Sequence, residues 1–365
     1  MESIQFPKKY SELSLDYLNK VLEPIFKSKI ISFNQGEEIE PGFTGEVFKI
    51  IPEYEEKKED LPKSLVIKFQ TENEGIRNFM AKIKGYEKEI KIYEILNSIN
   101  ELNTPKIYYH DINKEGTNYI LIMEDLNEKG LVRIDRDKPF DMKALKLIVK
   151  YFTELHSSFW GKEKLKNIEW INNYNFGEYM KEFTIQNFDK KKSYFISNNQ
   201  NKLNDSLINI IKNIKISELY EKINPENNKE RITLLHGDTQ VSNLLINSSK
   251  DKMAMIDWQY INIGLGLKDI VLFIGISFDE KNMKENDIQE LKNLYYDNLI
   301  EKGIKYDKNI FEEDWKNICL ISLCNIISAS AEENIVNDEM KRKKYGEHVA
   351  ISENRFITFL HLQNL

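Results

Sequence analysis

Leu234-Leu235-His236-Gly237-Asp238-Thr239-Gln240-Val241-Ser242-Asn243-Leu244-Leu245-Ile246 decides how the rest of this 365-residue chain is read. Apolar residues of strand type flank a polar loop that holds a histidine, an aspartate and an asparagine. Fourteen residues past Asn243, the run Met255-Ile256-Asp257-Trp258 ends a second apolar strand on an acid. Alone, the first stretch is a hairpin whose Asp and Asn serve turns. Its apolar flanks, the spacing Asp238-x-x-x-x-Asn243 and a second acid at that distance together point to a site.

Phosphoryl transfer needs parts of this kind. One carboxylate orients an acceptor hydroxyl and takes its proton, while an amide oxygen and a second carboxylate hold Mg²⁺ on the nucleotide phosphates. The spacing equals that of a kinase catalytic loop, and Asp257 stands where the metal-binding acid of such a site stands. Hard oxygen donors suit Mg²⁺. Cys319 and Cys324 share one apolar stretch and have no companions, so they build neither a disulfide framework nor a zinc cluster.

Upstream residues supply the other half. Residues from about 28 to 125 read as strand-rich, with Glu46–Ile50 and Ser64–Phe69 as strands joined by a charged loop from Pro52 to Pro62. One helix is expected from about Asn78 to Ser98, with Tyr86, Ile90 and Tyr93 on a stripe, then strands over Lys106–Tyr109 and Tyr119–Met123. Lys68, on the strand Leu65-Val66-Ile67-Lys68-Phe69, resembles the strand lysine that reaches the α- and β-phosphates. Glu89 on the following helix is placed to pair with it, with Glu87 and Glu94 as rivals. Pro41-Gly42-Phe43-Thr44-Gly45-Glu46-Val47 fits a phosphate-covering loop: Gly42 and Gly45 let the backbone approach, and the Thr44 and Gly45 amides can donate. From about residue 140 the pattern is mostly helical, in Phe140–Trp160, 174–224 and 284–365, interrupted by short strands between Ile232 and Met255. A β-rich lobe is thus followed by a larger α-rich one.

Composition narrows the function class. Hydrophobic residues at 41% and charged ones at 30% are ordinary for a soluble globular protein. A formal net charge of −7 argues against a nucleic-acid partner, which calls for a basic face. Met1-Glu2-Ser3-Ile4-Gln5 has no charged-then-apolar signal pattern, and the longest apolar stretch, Ile318–Ile327, is about half a membrane span. The expectation is a cytoplasmic protein with no membrane partner; its oligomeric state stays open.

Together these motifs resemble the aminoglycoside phosphotransferase and choline kinase superfamily, and within it the ecdysteroid-kinase-like branch. The residues that carry the resemblance are Gly42 to Val47, Val66-Ile67-Lys68, Glu89 to Tyr93, the hinge-like Ile122-Met123-Glu124-Asp125-Leu126 and Leu155-His156-Ser157-Ser158-Phe159-Trp160. His236 to Asn243, Ile256-Asp257-Trp258-Gln259 and Gly264-Leu265-Gly266-Leu267-Lys268-Asp269 complete them, over roughly residues 40 to 275. The resemblance implies an α+β, bilobal protein-kinase-like fold, with a nucleotide-binding lobe over 1–125 and a catalytic and substrate-binding lobe over 126–365. It also implies ATP, Mg²⁺ and a small hydroxyl-bearing substrate. It makes Asp238 the catalytic base, Asn243 and Asp257 the metal ligands, and Lys68 the phosphate-binding lysine with Glu89 as its partner. Gly42, Thr44, Gly45, Glu124 and Leu126 become nucleotide contacts. His236 and Asp269 become braces of the loop, and His156 and Trp160 pack beneath it. Choline kinases usually show Asn where Gly237 stands, so a choline substrate is disfavoured.

Two other readings compete. A protein kinase would carry Arg at Gly237 and Phe-Gly after Asp257, and only eleven residues separate Asp257 from Asp269, too few for a peptide-positioning segment. A catalytically silent nucleotide-binding pseudokinase has no physical need of both metal ligands, although the degenerate glycine loop favours it. The acceptor is not legible: Trp170, Tyr174, Tyr295, Tyr296 and Trp315 either line a pocket or fill the core, and core is the default.

Overall fold

The computed structural model describes residues 6–39, 44–56, 58–99, 101–135, 137–166, 168, 170, 171, 176–330 and 339–364, with backbone alone for 36–39 and 339–346. The chain divides into two compact units. The first is Met1–Val132 with Leu245–Ser248 and Ala254–Tyr260; the second is Arg133–Leu244 with Ser249–Met253 and Ile261–Leu365.

The first unit begins with α1 (Leu15–Phe26), capped by the Ser14 hydroxyl, which accepts from the Tyr17 N–H at 3.2 Å. Then come β1 (Ile30–Ile39), β2 (Gly45–Tyr54), β3 (Leu65–Gln70), α2 (Glu74–Lys82), α3 (Gly85–Leu96), β4 (Ile107–Ile112) and β5 (Tyr119–Glu124). The five strands form one antiparallel sheet in the order β1-β2-β3-β5-β4. The apolar face of α1, with Leu18, Val21 and Leu22, packs into a buried cluster with Ile50, Leu65, Ile67, Ile120 and Ile122. Burial of this kind stabilises by about 1.5–3 kcal/mol per large aliphatic side chain. β3 is the central strand, and Lys68 sits opposite Val47 on β2 and Leu121 on β5.

Two sequence expectations need correction here. The single helix expected over Asn78–Ser98 is two helices. The Ile83 and Lys84 N–H groups close the last turn of α2 on Phe79 and Ala81, and Lys84 turns left-handed, at φ 53°, before α3 starts. The loop expected from Pro52 starts later, because β2 runs to Tyr54. Past Ile50 it pairs with β1 alone, so one edge carries no ladder and a missing proline N–H is tolerated.

The second unit is mostly helical. In chain order the elements from Val132 onward, of which β8 and β9 belong mainly to the first unit, are β6 (Val132–Arg133), α4 (Met142–Ser158), α5 (Lys162–Leu165), α6 (Phe176–Asn198), α7 (Asp205–Asn213), α8 (Ile216–Lys222) and β7 (Ile232–Leu235). β8 (Leu244–Ile246), β9 (Met253–Met255), β10 (Asn262–Leu265), α9 (Leu267–Ser277), α10 (Glu285–Glu301), α11 (Lys308–Ala329) and α12 (Glu339–Leu362) follow. β7 and β10 pair antiparallel, from Asn262 opposite Leu235 to Leu265 opposite Ile232, while β6, β8 and β9 form a sheet in that order. α9 buries Leu267, Ile270, Val271, Phe273 and Ile274 and packs against α4, α11 and α12, which makes it the central helix of this unit. A helix apolar on most sides belongs in such a place.

The apolar stretch with Cys319 and Cys324 lies inside α11, where burial raises both thiol pKa values, that of Cys324 to about 12. Among the described residues no helix is long and apolar enough to cross a membrane. The fold is α+β, as the sequence pattern predicts.

Candidate active site

In the first unit the site is built around Lys68. β3 is buried along nearly its whole length, so its one lysine must find partners inside. Its Nζ lies 2.8 and 3.0 Å from the two carboxylate oxygens of Glu89 on α3, and 2.8 Å from Asp257 Oδ1. The side chains of Lys68 and Glu89 are 7% and 1% exposed and that of Asp257 26%, so Asp257 is the partner that still meets solvent. Burial works against the Lys68 ammonium, but the charges of Asp257 and Glu89 outweigh it and raise its pKa above the ordinary lysine value. Glu89 is chosen over its neighbours by the helix face. Gly85, Tyr86, Glu89, Ile90, Tyr93 and Leu96 point inward, whereas Glu87 pairs with Lys84 and Lys91, and Glu94 faces His110. Asp257 itself has φ 65°, a left-handed backbone that Asp tolerates better than most residues.

Three residues around this triad escaped the sequence reading. Gln259 donates through Nε2 to Glu89 Oε2 at 2.9 Å and to the Tyr119 hydroxyl at 3.2 Å, while its buried Oε1 has no partner among the described residues. Tyr119 stacks on Tyr86 with centroids 4.2 Å apart, and Tyr86 donates to the Thr44 carbonyl at 2.7 Å. Thr44 is thereby tied to α3. Gln259 lies inside a motif of the resemblance and its position was a signal; Tyr86 and Tyr119 read only as core.

The remaining first-unit candidates divide. Gly42 lies outside the described residues. Gly45 opens β2, where a Cβ would come within 2.5 Å of the Phe69 carbonyl, so close strand packing alone demands glycine. Glu124 ends β5, with its carboxylate on Lys129 at 2.7 Å and on the Lys106 N–H at 3.2 Å. Leu126 is buried against Leu131, Leu245 and Ala254. Between them, Asp125 takes the Ser64 hydroxyl and the Lys49 ammonium, each at 2.8 Å.

In the second unit the loop after β7 is braced from one residue. Asp269 on α9 accepts the N–H groups of His236 at 2.8 Å and Gly237 at 3.2 Å. Gly237 at φ 81° supplies the left-handed turn, a conformation for which glycine is the default residue. His156 on α4 lies 3.4 Å from Asp269 through Nε2 and 2.8 Å from the Tyr295 hydroxyl through Nδ1. His236 Nδ1 accepts the Asp238 N–H at 3.3 Å. Asp238 Oδ2 then receives Asn243 Nδ2 at 2.8 Å and Gln240 Nε2 at 2.9 Å. Among the aromatics considered for a pocket, Tyr295 and Trp315 are buried core residues, Tyr296 bonds the Tyr306 carbonyl, and Tyr174 lies outside the described residues. Trp160 packs on Tyr306.

The donor chemistry can be tested for a metal. Among the described residues no three His, Cys, Asp or Glu gather as a metal cage. Asn243 spends its Nδ2 on Asp238, which leaves its oxygen as the free end of the amide. Asp257 uses one carboxylate oxygen on Lys68. Each unit thus offers a hard oxygen donor of the kind Mg²⁺ takes.

Comparison with solved structures shows a shared kinase-like fold. An ethanolamine kinase from Plasmodium vivax matches with a TM-score of 0.53 at 18% identity, over 92% of this chain and 85% of that one. The GDP complex of a mutant aminoglycoside 2'-phosphotransferase-IIIa matches with 0.53 at 14%, over 96% and 100%. A choline kinase from Cryptosporidium parvum Iowa II matches with 0.51 at 16%, over 96% and 94%. No curated protein matches the chain in sequence. Residues 40–306, well over half of the chain, match the model of one family, and the chain belongs to it: the ecdysteroid kinase-like family.

Proposed function

We propose that this chain is an ATP- and Mg²⁺-dependent phosphotransferase that phosphorylates a hydroxyl group of a small molecule. The observation that carries the reading is the Lys68 ammonium, buried in the central strand and held by Glu89 and Asp257. A buried lysine fixed between two acids is a charge prepared for an anionic ligand. Membership of a kinase-like family and the fold shared with ethanolamine kinase, choline kinase and aminoglycoside phosphotransferase support it.

In this reading residues 1–125 bind the nucleotide and residues 126–365 carry catalysis and the acceptor. ATP supplies the phosphoryl group, and Mg²⁺ neutralises charge on its phosphates. Lys68 orients phosphate oxygens, and Glu89, steadied by Gln259 and Tyr119, keeps the lysine aimed. Thr44 and Gly45, with Gly42, cover the phosphates, and Glu124 and Leu126 contact the nucleotide. Asn243 and Asp257 present oxygens to the metal. Asp238 accepts the acceptor hydroxyl's proton, its carboxylate set by Asn243 and Gln240. The protein works in the cytoplasm, with neither nucleic acid nor membrane as partner.

ATP turnover of the purified protein across a panel of hydroxyl compounds tests this. Asp238→Ala lowers turnover by about two to four orders of magnitude, the range of a positioned general base. Asp257→Ala lowers it comparably or further. Nucleotide binding with Mg²⁺ but no compound ever phosphorylated would defeat the enzyme reading in favour of a pseudokinase.

A further inference from the structure

Tyr86 on α3 takes no part in the roles above, yet it is placed as a fixed donor beside them. It is 0% exposed, and a tyrosine hydroxyl withdrawn from water needs a partner. That partner is the Thr44 carbonyl at 2.7 Å, which also accepts the Thr71 N–H at 3.3 Å. The stack on Tyr119, with an interplanar angle of 16°, holds the Tyr86 ring against Thr44. Burial raises the Tyr86 pKa, so the hydroxyl stays protonated and donates.

The carbonyl held in this way belongs to the peptide that joins Thr44 to Gly45. A trans peptide is planar, with its C=O and N–H on opposite sides. Drawing the carbonyl toward α3 and β3 therefore turns the Gly45 N–H away from both. Gly45 in turn lies beside the lysine of the site: a Cβ on it would come within 3.5 Å of Lys68 Cε and 3.6 Å of the Tyr119 hydroxyl. Glu89, which holds the Lys68 ammonium, follows Tyr86 by three residues, so the two project from one face of one helix. Through Glu89 α3 aims the ammonium, and through Tyr86 it aims the Thr44–Gly45 peptide.

We propose that Tyr86 is a positioning residue for the phosphates of the nucleotide: its hydroxyl fixes the Thr44–Gly45 peptide so that the Gly45 N–H and the Lys68 ammonium meet the same phosphate chain. Tyr86 touches no ligand itself. Its contribution is preorganisation, since a donor already aimed has less freedom to lose when the anion arrives. The role rests on the phosphotransferase reading, and the test separates the two.

Tyr86→Phe keeps the ring and its stack and removes the bond to Thr44, whose carbonyl retains the Thr71 N–H. Tyr54→Phe is the control: at the far end of β2 the Tyr54 hydroxyl donates to the Pro62 carbonyl at 3.0 Å, a bond of the same kind in the same unit. Titration calorimetry in Mg²⁺, direct or by displacement, measures ATP, ADP and adenosine on the full chain and on each variant. Tyr86→Phe should weaken ATP and ADP by about 3- to 10-fold, the worth of roughly one hydrogen bond, and leave adenosine within about twofold of the parent. Tyr54→Phe should change none of the three. Equal weakening of all three ligands by Tyr86→Phe marks a purely structural contact and overturns the proposal. Unchanged ATP binding in Tyr86→Phe, or an equal loss in Tyr54→Phe, overturns it as well while leaving the phosphotransferase standing. A parent chain that binds ATP no more tightly than adenosine defeats the phosphate site itself, and the role of Tyr86 falls with it.

Discussion

Replacing Glu89 with alanine removes the inner partner of Lys68. The contacts at 2.8 and 3.0 Å vanish, and Gln259 Nε2 and the Tyr119 hydroxyl lose the acceptor they share at 2.9 and 3.4 Å. Removing one member of a buried pair costs about 3–5 kcal/mol, because the other charge stays behind. Asp257 remains 2.8 Å from Nζ and holds the loss to the lower end, about 3 kcal/mol. At roughly 2–4 °C per kcal/mol, the melting point of the first unit falls by about 6–12 °C. Calorimetry of the full chain reads this, with ATP turnover followed in parallel. Lys68→Met should cost a similar amount, since it strands the Glu89 carboxylate. The double variant Lys68→Met/Glu89→Leu strands neither charge and should recover much of the stability while losing turnover. A double variant as unstable as the sum of the two singles would refute this account of the pair.

Two further outcomes follow from the braces. Asp269→Asn keeps the shape but turns one acceptor oxygen into a donor, so the His236 and Gly237 N–H groups cannot both be satisfied. With charge-assisted bonds at about 1.5–3 kcal/mol each, the second unit should lose about 2–4 kcal/mol, and an unchanged melting point would remove Asp269 as the brace. For Asp125, burial opposes the charged form, yet Lys49, Ser64 and the Asn127 N–H win and lower its pKa. The stability it contributes is therefore present above the ordinary aspartate value of about 3.9 and is lost as pH falls through the lower folded value. Melting points of Asp125→Asn should fall less steeply than those of the parent in that acid window, and parallel curves would count against it.

What could be read in advance was what local pattern controls. The strand of Lys68 shows as a β-type run, α4 shows as an apolar stripe, and the Asp238 loop stands out as polar residues between apolar flanks. What could not be read depends on partners far along the chain. The break at Lys84 has no proline to announce it and turns on one backbone angle. β2 passes Pro52 only because β1 lies beside it. Glu87, Glu89 and Glu94 share one helix, and it takes the fold to show that one of them faces Lys68. Gln259 reaches Glu89 across 170 positions of sequence, a relation that no periodicity encodes.

The first unit is assembled from three stretches, and the last of them, Ala254–Tyr260, brings Trp258, 0% exposed, against α3 together with Asp257 and Gln259. A growing chain that has reached Val132 holds the whole five-stranded sheet but not the segment that covers α3 and meets Lys68 and Glu89. At about 5–20 residues per second, the ribosome needs on the order of 10 s to deliver it. During that interval the buried lysine and glutamate lack Asp257 and Gln259, and the side of α3 that this segment covers lies open. Synthesis order thus gives this protein a vulnerable period, in which a chaperone or a protease meets a nearly finished sheet, and residue 260 closes it.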